Sequence, residues 1–218
     1  MATDTVIVMG GSFNPPTRAH LSLMMAAADE MRKRTGGNVR GVFVPSGEAY
    51  LMKKRDSGAG DHEEMILPEE LRLAMLETFS RYGRGLSADG RELGSDTVRG
   101  HTLITLRSIQ SENPGARILF ILGEDKLPGF SGWKFFRELV TEFGFIVFRR
   151  DGAGARFAFE SDPELKEHED SFIFLDQPAD ASGISSGRVR RGVSRGDDVS
   201  SMLTPEVSGL LSAWLSGR

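Results

Sequence analysis

The chain has 218 residues, 39% of them hydrophobic, and no cysteine. That length suits one sizeable domain, and the missing thiols exclude disulfides, cysteine nucleophiles and cysteine metal sites, in keeping with an expected cytoplasmic location. A net charge of −4 argues against a general nucleic-acid binder, so an anionic partner has to be gathered by a local basic group.

In chain order, TVIVM (5–9) reads as a strand. No basic stretch precedes it, so it is not expected to act as a secretory leader. Gly10-Gly11 and Pro15-Pro16 then punctuate the backbone before a helix from about Ala19 to Arg34. VRGVFVP (39–45) is a second strand. The charged, glycine-rich stretches 53–66 and 83–100 read as long loops, the first with the composition of either a lid or a plain surface loop. A helix is expected near Pro68, with Glu69 and Glu70 in its first turn where the helix dipole favours acids, and another from Thr102 to Ser111. The strand RILFIL (117–122), a helical segment near 132–140, and the strands FGFIVF (143–148) and SFIFL (171–175) follow. Helical patterns at 186–194 and 205–215 close the chain.

The apolar runs all fall far short of the roughly 20 residues of a membrane helix. Most strands are continuously apolar, as parallel strands covered on both faces are. Strand–helix alternation then predicts an α/β, Rossmann-like, doubly wound, mainly parallel sheet with helices on both faces and ligands at the carboxyl ends of the strands. With no repeats or heptads, residues 1–218 read as a single domain whose C-terminal helical portion starts near 184.

Three stretches carry chemistry. The first is GGSFNPPTRAH (10–20). Glycines at a strand end let the backbone approach a ligand, and the next helix aims free N–H groups and its positive dipole end at the same place, which suits a phosphate. Ser12, Asn14, Thr17 and His20 add polar groups, and Thr17 near the N-cap would let both Thr17 and His20 face the anion. The spacing fits neither G-x-x-x-x-G-K-[ST] nor G-x-G-x-x-G. The second stretch is GISSGRVRRGV (183–193): serines at a helix start cap it, and with Arg188, Arg190 and Arg191 they can also make an anion site. A solvated face is the ordinary reading of such arginines, and equally of Lys53-Lys54-Arg55. In the third, FILGEDKLPGFSGWKFFREL (120–139), Gly123-Glu124-Asp125 ends a strand with acids able to accept from ribose hydroxyls, and Trp133 follows on an amphipathic helix, where core packing is its ordinary role.

GGSFNPPTRAH resembles the G-x-F-x-P-x-[HT]-x-G-H signature of the nucleotidylyltransferase superfamily, with Thr17 at the first His/Thr place, Ala19 in place of Gly and His20 as the last His. Residues 184–190 resemble its I-S-S-T-x-[IV]-R motif at Ile184, Ser185, Ser186, Val189 and Arg190, with Gly187 in place of Thr. The 120–139 stretch resembles the F-I-x-G-x-D-x-L…W segment of the nicotinate and nicotinamide mononucleotide adenylyltransferases. RGHTLITLRSIQSENP (99–114) is similar to their S-Y-T-x-x-T-L segment, with His101 for Tyr and Ile104 for Asp. VPSGEAYLMKK (44–54) lacks the bacterial Pro-Pro-His and looks like the eukaryotic form, so that either Lys53 or Lys54 is the phosphate lysine.

The resemblance implies adenylyl transfer from ATP to nicotinate or nicotinamide mononucleotide, in NAD biosynthesis. It implies that Gly10, Gly11, Ser12, Phe13, Thr17 and His20 hold the α- and β-phosphates of ATP, and Ile184, Ser185, Ser186 and Arg190 the β- and γ-phosphates. Gly123 and Asp125 would seat the adenosine, and Asn14, Lys53, Thr102 and Trp133 the mononucleotide, Trp133 by stacking on the pyridine ring. Thr17, His20, Lys53 and Arg190 are the expected catalytic residues. Mg²⁺ is expected on the ATP phosphates, with no protein metal site; His62, His101 and His168 are not spaced as ligands. No nucleic-acid or membrane partner is expected, and the oligomeric state stays open. Another phosphate acceptor such as phosphopantetheine, or a nucleotide sensor without turnover, is the alternative.

Overall fold

The five leading residues of Thr5–Gly11 are buried, and this segment forms the strand β1. In the computed structural model, which describes residues 4–56, 65–94, 101–149 and 153–217, it joins one six-stranded sheet. The other strands are β2 (Val39–Pro45), β3 (Leu86–Ala88), β4 (Arg117–Gly123), β5 (Gly144–Arg149) and β6 (Phe172–Asp176), in the order β3-β2-β1-β4-β5-β6. The pairs β1–β4, β4–β5 and β5–β6 run parallel, with Val8 opposite Phe120, Phe120 opposite Phe145 and Phe145 opposite Phe172. This is the order of the doubly wound Rossmann-like fold that alternation predicts. The helices among the described residues are α1 (Arg18–Thr35), α2 (Glu48–Asp56), α3 (Glu69–Glu77), α4 (Thr102–Glu112), α5 (Phe136–Glu142), α6 (Ala153–Ser161), α7 (Pro163–Glu167), α8 (Ser186–Arg195) and α9 (Pro205–Ser216).

The expected strands and most expected helices are present, with two corrections. Residues 53–56 are not loop but the end of α2: Ala49, Leu51, Met52 and Lys53 are strong helix formers, and the charged tail continues the turn. Residues 57–64 lie outside the described residues, as do 95–100. The helix expected near 132–140 starts only at Phe136. Phe130–Gly132 is a short 3₁₀ turn and Trp133 is extended, with φ −69° and ψ 142°, so the tryptophan does not sit on a helix.

The chain divides into two compact units, neither continuous in sequence. Met1–Met9, Leu23–Gly41 and His101–Pro178 make the first. Its core is aromatic: Phe145 stacks on Phe172, its cross-strand partner, at 5.2 Å, while Phe130 sits edge-on to Phe145 at 5.1 Å and Phe159 edge-on to Phe172 at 5.1 Å. Gly10–Ser22, Val42–Gly100 and Ala179–Arg218 make the second. There Phe13, Phe43 and Phe79 form an edge-to-face chain, at 5.9 and 5.2 Å, and Met75, Leu76, Val189 and Val207 are buried in the same unit. Its helices have defined ends. Ser185 caps α8, which stops at Gly196 in the left-handed conformation (φ 76°) that glycine adopts without strain, and Thr204 caps α9 ahead of Pro205.

Candidate active site

β1 ends at Gly10, exposed, and Gly11, partly buried. A Cβ on Gly11 would meet nothing nearer than the Phe13 ring at 3.6 Å, an ordinary contact, so packing does not demand glycine there. Phe13, at φ 44°, buries its ring against His20 (centroids 5.0 Å apart) and Phe43. A cis bond joins Asn14 to Pro15. Thr17 is fully buried, and its carbonyl accepts from the His20 amide at 3.1 Å, which makes it the N-cap residue. Its side chain does not cap. The Thr17 amide (3.0 Å) and hydroxyl (2.8 Å) both converge on His20 Nδ1. A ring nitrogen that receives an N–H carries no proton of its own, so the proton of this imidazole sits on Nε2, which is left as a donor. Burial lowers the His20 pKa from 6.5 to about 4, and the ring is neutral at pH 7.

The second stretch expected to bind an anion is fastened to this loop within the same unit. Ser186 Oγ donates to Pro15 O at 2.7 Å, and Arg190 Nη1 donates to Asn14 O. Ser185 Oγ accepts from the Arg188 amide at 3.2 Å, and Arg188 Nη1 donates to Gly183 O. The two serines therefore differ. Ser185 keeps its hydroxyl hydrogen for another acceptor, whereas Ser186 has given its own to the chain. A Cβ on Gly187 would stand 3.3 Å from Arg191 Nη1 and 3.6 Å from Arg190 Nη2, so the glycine leaves room for guanidinium groups over the helix start. Ile184 beside them is partly buried.

The Asn14 side chain is committed to the backbone: Nδ2 donates to Met65 O at 2.8 Å and Oδ1 accepts from the Leu67 amide at 2.9 Å. Arg72, which the sequence reading passed over, reaches the same place. Fully buried, it donates from Nε to Leu67 O (3.2 Å) and from Nη1 to Ser12 O and Ser46 O, both at 2.8 Å. The available signal was its register: Arg72 falls in the slot of a helical stripe otherwise filled by Met75, Leu76 and Phe79. Lys53 projects from α2, exposed, and the Lys54 side chain lies outside the described residues.

The remaining expected residues belong to the first unit. Thr102, partly buried, opens α4, whose N-cap residue His101 makes no capping bond. His101 Nε2 and Lys134 Nζ are 3.3 Å apart, and Lys134 stands 5.0 Å over the Phe135 ring. β4 delivers Gly123 and then Asp125, whose carboxylate pairs with Lys126 at 2.7 Å. A Cβ at Gly123 would strike Asp125 Oδ1 at 2.5 Å, so this aspartate folds back only over a glycine. Trp133 is partly buried, its ring 5.0 Å from Phe130. Among the described residues no three His, Asp or Glu side chains gather to hold a metal ion, and no helix is long and apolar enough to cross a membrane.

The family model described as cytidylyltransferase-like matches residues 8–192. A nicotinamide/nicotinic acid mononucleotide adenylyltransferase 2 of Caenorhabditis elegans is 25% identical over 198 residues, which cover 84% of each chain. A probable nicotinate-nucleotide adenylyltransferase of Salinibacter ruber is 31% identical over 149 residues, 68% of this chain and 69% of that one. The solved structure of a Plasmodium falciparum nicotinic acid mononucleotide adenylyltransferase complexed with NaAD superposes with a TM-score of 0.67, at 16% identity, over 97% of this chain and 96% of that one, a likeness of fold. By this match across most of its length and by its relatives, the chain belongs to the cytidylyltransferase-like family, among the nicotinate- and nicotinamide-mononucleotide adenylyltransferases.

Proposed function

We propose that the protein transfers the adenylyl group of ATP to nicotinate or nicotinamide mononucleotide, forming the pyridine dinucleotide and pyrophosphate. The observation that carries this reading is the neutral His20, its Nε2–H left as a donor at the end of the loop after β1, to which α8 is tied. A phosphate oxygen of the mononucleotide attacks the α-phosphorus of ATP in line, the bond from that phosphorus to the oxygen bridging to the β-phosphate breaks, and pyrophosphate leaves. The attacking oxygen is already anionic and needs no general base. A histidine whose pKa lies near 4 suits this as a hydrogen-bond donor rather than a proton acceptor.

Main-chain groups at Gly10, Gly11, Ser12 and Phe13 with His20 Nε2 would hold the α- and β-phosphates, Gly10 being exposed at the strand end. Ser185 through its hydroxyl hydrogen, the amides from Ile184 into the first turn of α8, and Arg190 would take the β- and γ-phosphates, whereas Ser186 acts through Pro15. Thr17 sets the His20 tautomer, and Lys53 neutralises the incoming phosphate. Gly123 and Asp125 would receive the adenosine, and Thr102 and Trp133 the pyridine, with Asn14 shaping the acceptor side through residues 65–67. Mg²⁺ arrives with ATP as part of the substrate, and no step needs a protein-held ion.

The test is one reaction of the protein with MgATP and equal amounts of the two mononucleotides, with products separated by chromatography. A dinucleotide should form, its identity giving the preferred ring. His20→Ala should lower the rate on the order of 10²–10³, the usual effect of removing one such donor. ATP binding without any dinucleotide would overturn the pyridine acceptor.

A further inference from the structure

Burying a guanidinium without a carboxylate partner is costly, and replacing a buried charge by an apolar side chain is often neutral or stabilising. Arg72 sits in such a slot beside Met75 and Leu76, fully buried, and a leucine or methionine would satisfy the packing. Its Nε and Nη1 donate to main-chain carbonyls, and among the described residues Nη2 has no hydrogen-bond partner. Glu69, Glu48 and Glu70 act on it through their charge alone, and burial outweighs them, drawing its pKa below the usual arginine value. The Glu69 carboxylate is turned to the amides of Glu48 and Gly94.

The three carbonyls explain the expense. Ser12 lies in the loop that leads to His20, and Ser46 in the turn that leads from β2 to α2 and Lys53. Leu67 lies in the segment held by Asn14, whose own carbonyl takes Arg190. Arg72 thus stands at the root of two segments that bear expected phosphate ligands, the loop after β1 and the turn after β2, and is bonded to the segment that Asn14 holds. Given the reading that residues 10–20 hold the ATP phosphates, we propose that Arg72 is a positioning residue for adenylyl transfer: it fixes the loop after β1 to the turn after β2 and lends their phosphate ligands a positive charge that, among the described residues, no hydrogen-bonded carboxylate cancels.

Equilibrium binding of ATP and of uncharged adenosine to the wild type, Arg72→Met and Arg72→Lys, with steady-state kinetics and thermal unfolding, tests this. Arg72→Met should weaken ATP roughly tenfold or more while leaving adenosine within about twofold, because charge acts only on the phosphates. Arg72→Lys keeps the charge and loses the fork, so its affinity for ATP should stay within about threefold while kcat falls roughly tenfold. A parallel weakening of ATP and adenosine in folded Arg72→Met, or a wild-type kcat in Arg72→Lys, overturns the inference. If Arg72→Met does not fold, the kcat and ATP affinity of Arg72→Lys decide alone. His20→Ala runs beside them: an unchanged kcat there overturns the reading of the phosphate loop and this inference with it, whereas the expected His20 loss of kcat beside an inert Arg72 overturns the inference alone.

Discussion

A neutral imidazole can present either nitrogen as its donor, and at His20 the choice belongs to Thr17, whose amide and hydroxyl both end on Nδ1. Thr17→Val keeps the shape and the amide and removes the hydroxyl. It should lower stability by roughly 1 kcal/mol, as loss of one buried hydrogen bond does, seen as a lower urea midpoint. It should also lower kcat roughly tenfold with little change in the KM for ATP, because the donor is less firmly aimed while the phosphate ligands remain. A wild-type kcat would show that the amide alone sets the tautomer. The spacing of Thr17 and His20 three residues apart was legible in the sequence, since such residues share a helix face. The bond from Ser186 to Pro15 was not, because it joins residues 171 apart and nothing in either stretch encodes the other. Arg72 lies between these cases: its register on α3 was readable, but the carbonyls that justify a buried charge come from three separate segments.

α2 was misread because a run of Lys, Lys, Arg and Asp resembles a solvated loop when its neighbours in space are unknown. Its start depends on Glu69, whose carboxylate accepts the Glu48 amide, and on Gly47, whose carbonyl accepts from Tyr50 at 3.1 Å. A Cβ on Gly47 would lie 2.8 Å from the main-chain carbonyl oxygen of Glu92, an atom that cannot swing aside. Gly47→Ala should therefore cost roughly 1–3 kcal/mol, as overpacking does. It should also raise the KM for the mononucleotide by shifting the helix that carries Lys53. Gly187→Ala is the contrast: its Cβ would meet the far ends of the Arg191 and Arg190 side chains, at 3.3 and 3.6 Å, and denaturation should move by less than about 0.5 kcal/mol. Equal destabilisation of the two variants would remove the argument. Trp133 failed for a related reason. The apolar spacing from 132 to 140 is helical, but Gly129 at φ 88° and the 3₁₀ turn after it delay the helix to Phe136.

Across the whole molecule the sheet was the most legible feature, because continuously apolar strands alternating with helices leave few topologies, and only β3, three residues long, is too short to carry a pattern. Its order puts the glycine end of β1 at the start of α1, and the burial that follows links the site to global stability. The folded state holds the His20 pKa near 4, against 6.5 when free. Between these values the unfolded chain takes up a proton that the folded one refuses, so His20 contributes stability that is complete above pH 6.5 and is lost as pH falls to about 4. The full loss is roughly 3 kcal/mol, a large share of the 5–15 kcal/mol typical of a domain. The lowered carboxylates Glu30, Glu142, Asp162, Asp198 and Glu206 are near the surface and lose their contribution only as pH falls through and below the usual carboxylate range. The window from pH 6.5 to 5 is therefore that of His20. Urea unfolding of the wild type should lose roughly 2 kcal/mol across it, and His20→Gln, which has no proton to gain, should lose far less. Saturating MgATP should flatten the wild-type slope, because an anionic phosphate at Nε2 favours the protonated ring and raises its pKa. Parallel slopes for the two proteins without ATP would mean that His20 is not buried as a neutral donor, and the tautomer argument for its role in adenylyl transfer would fall with it.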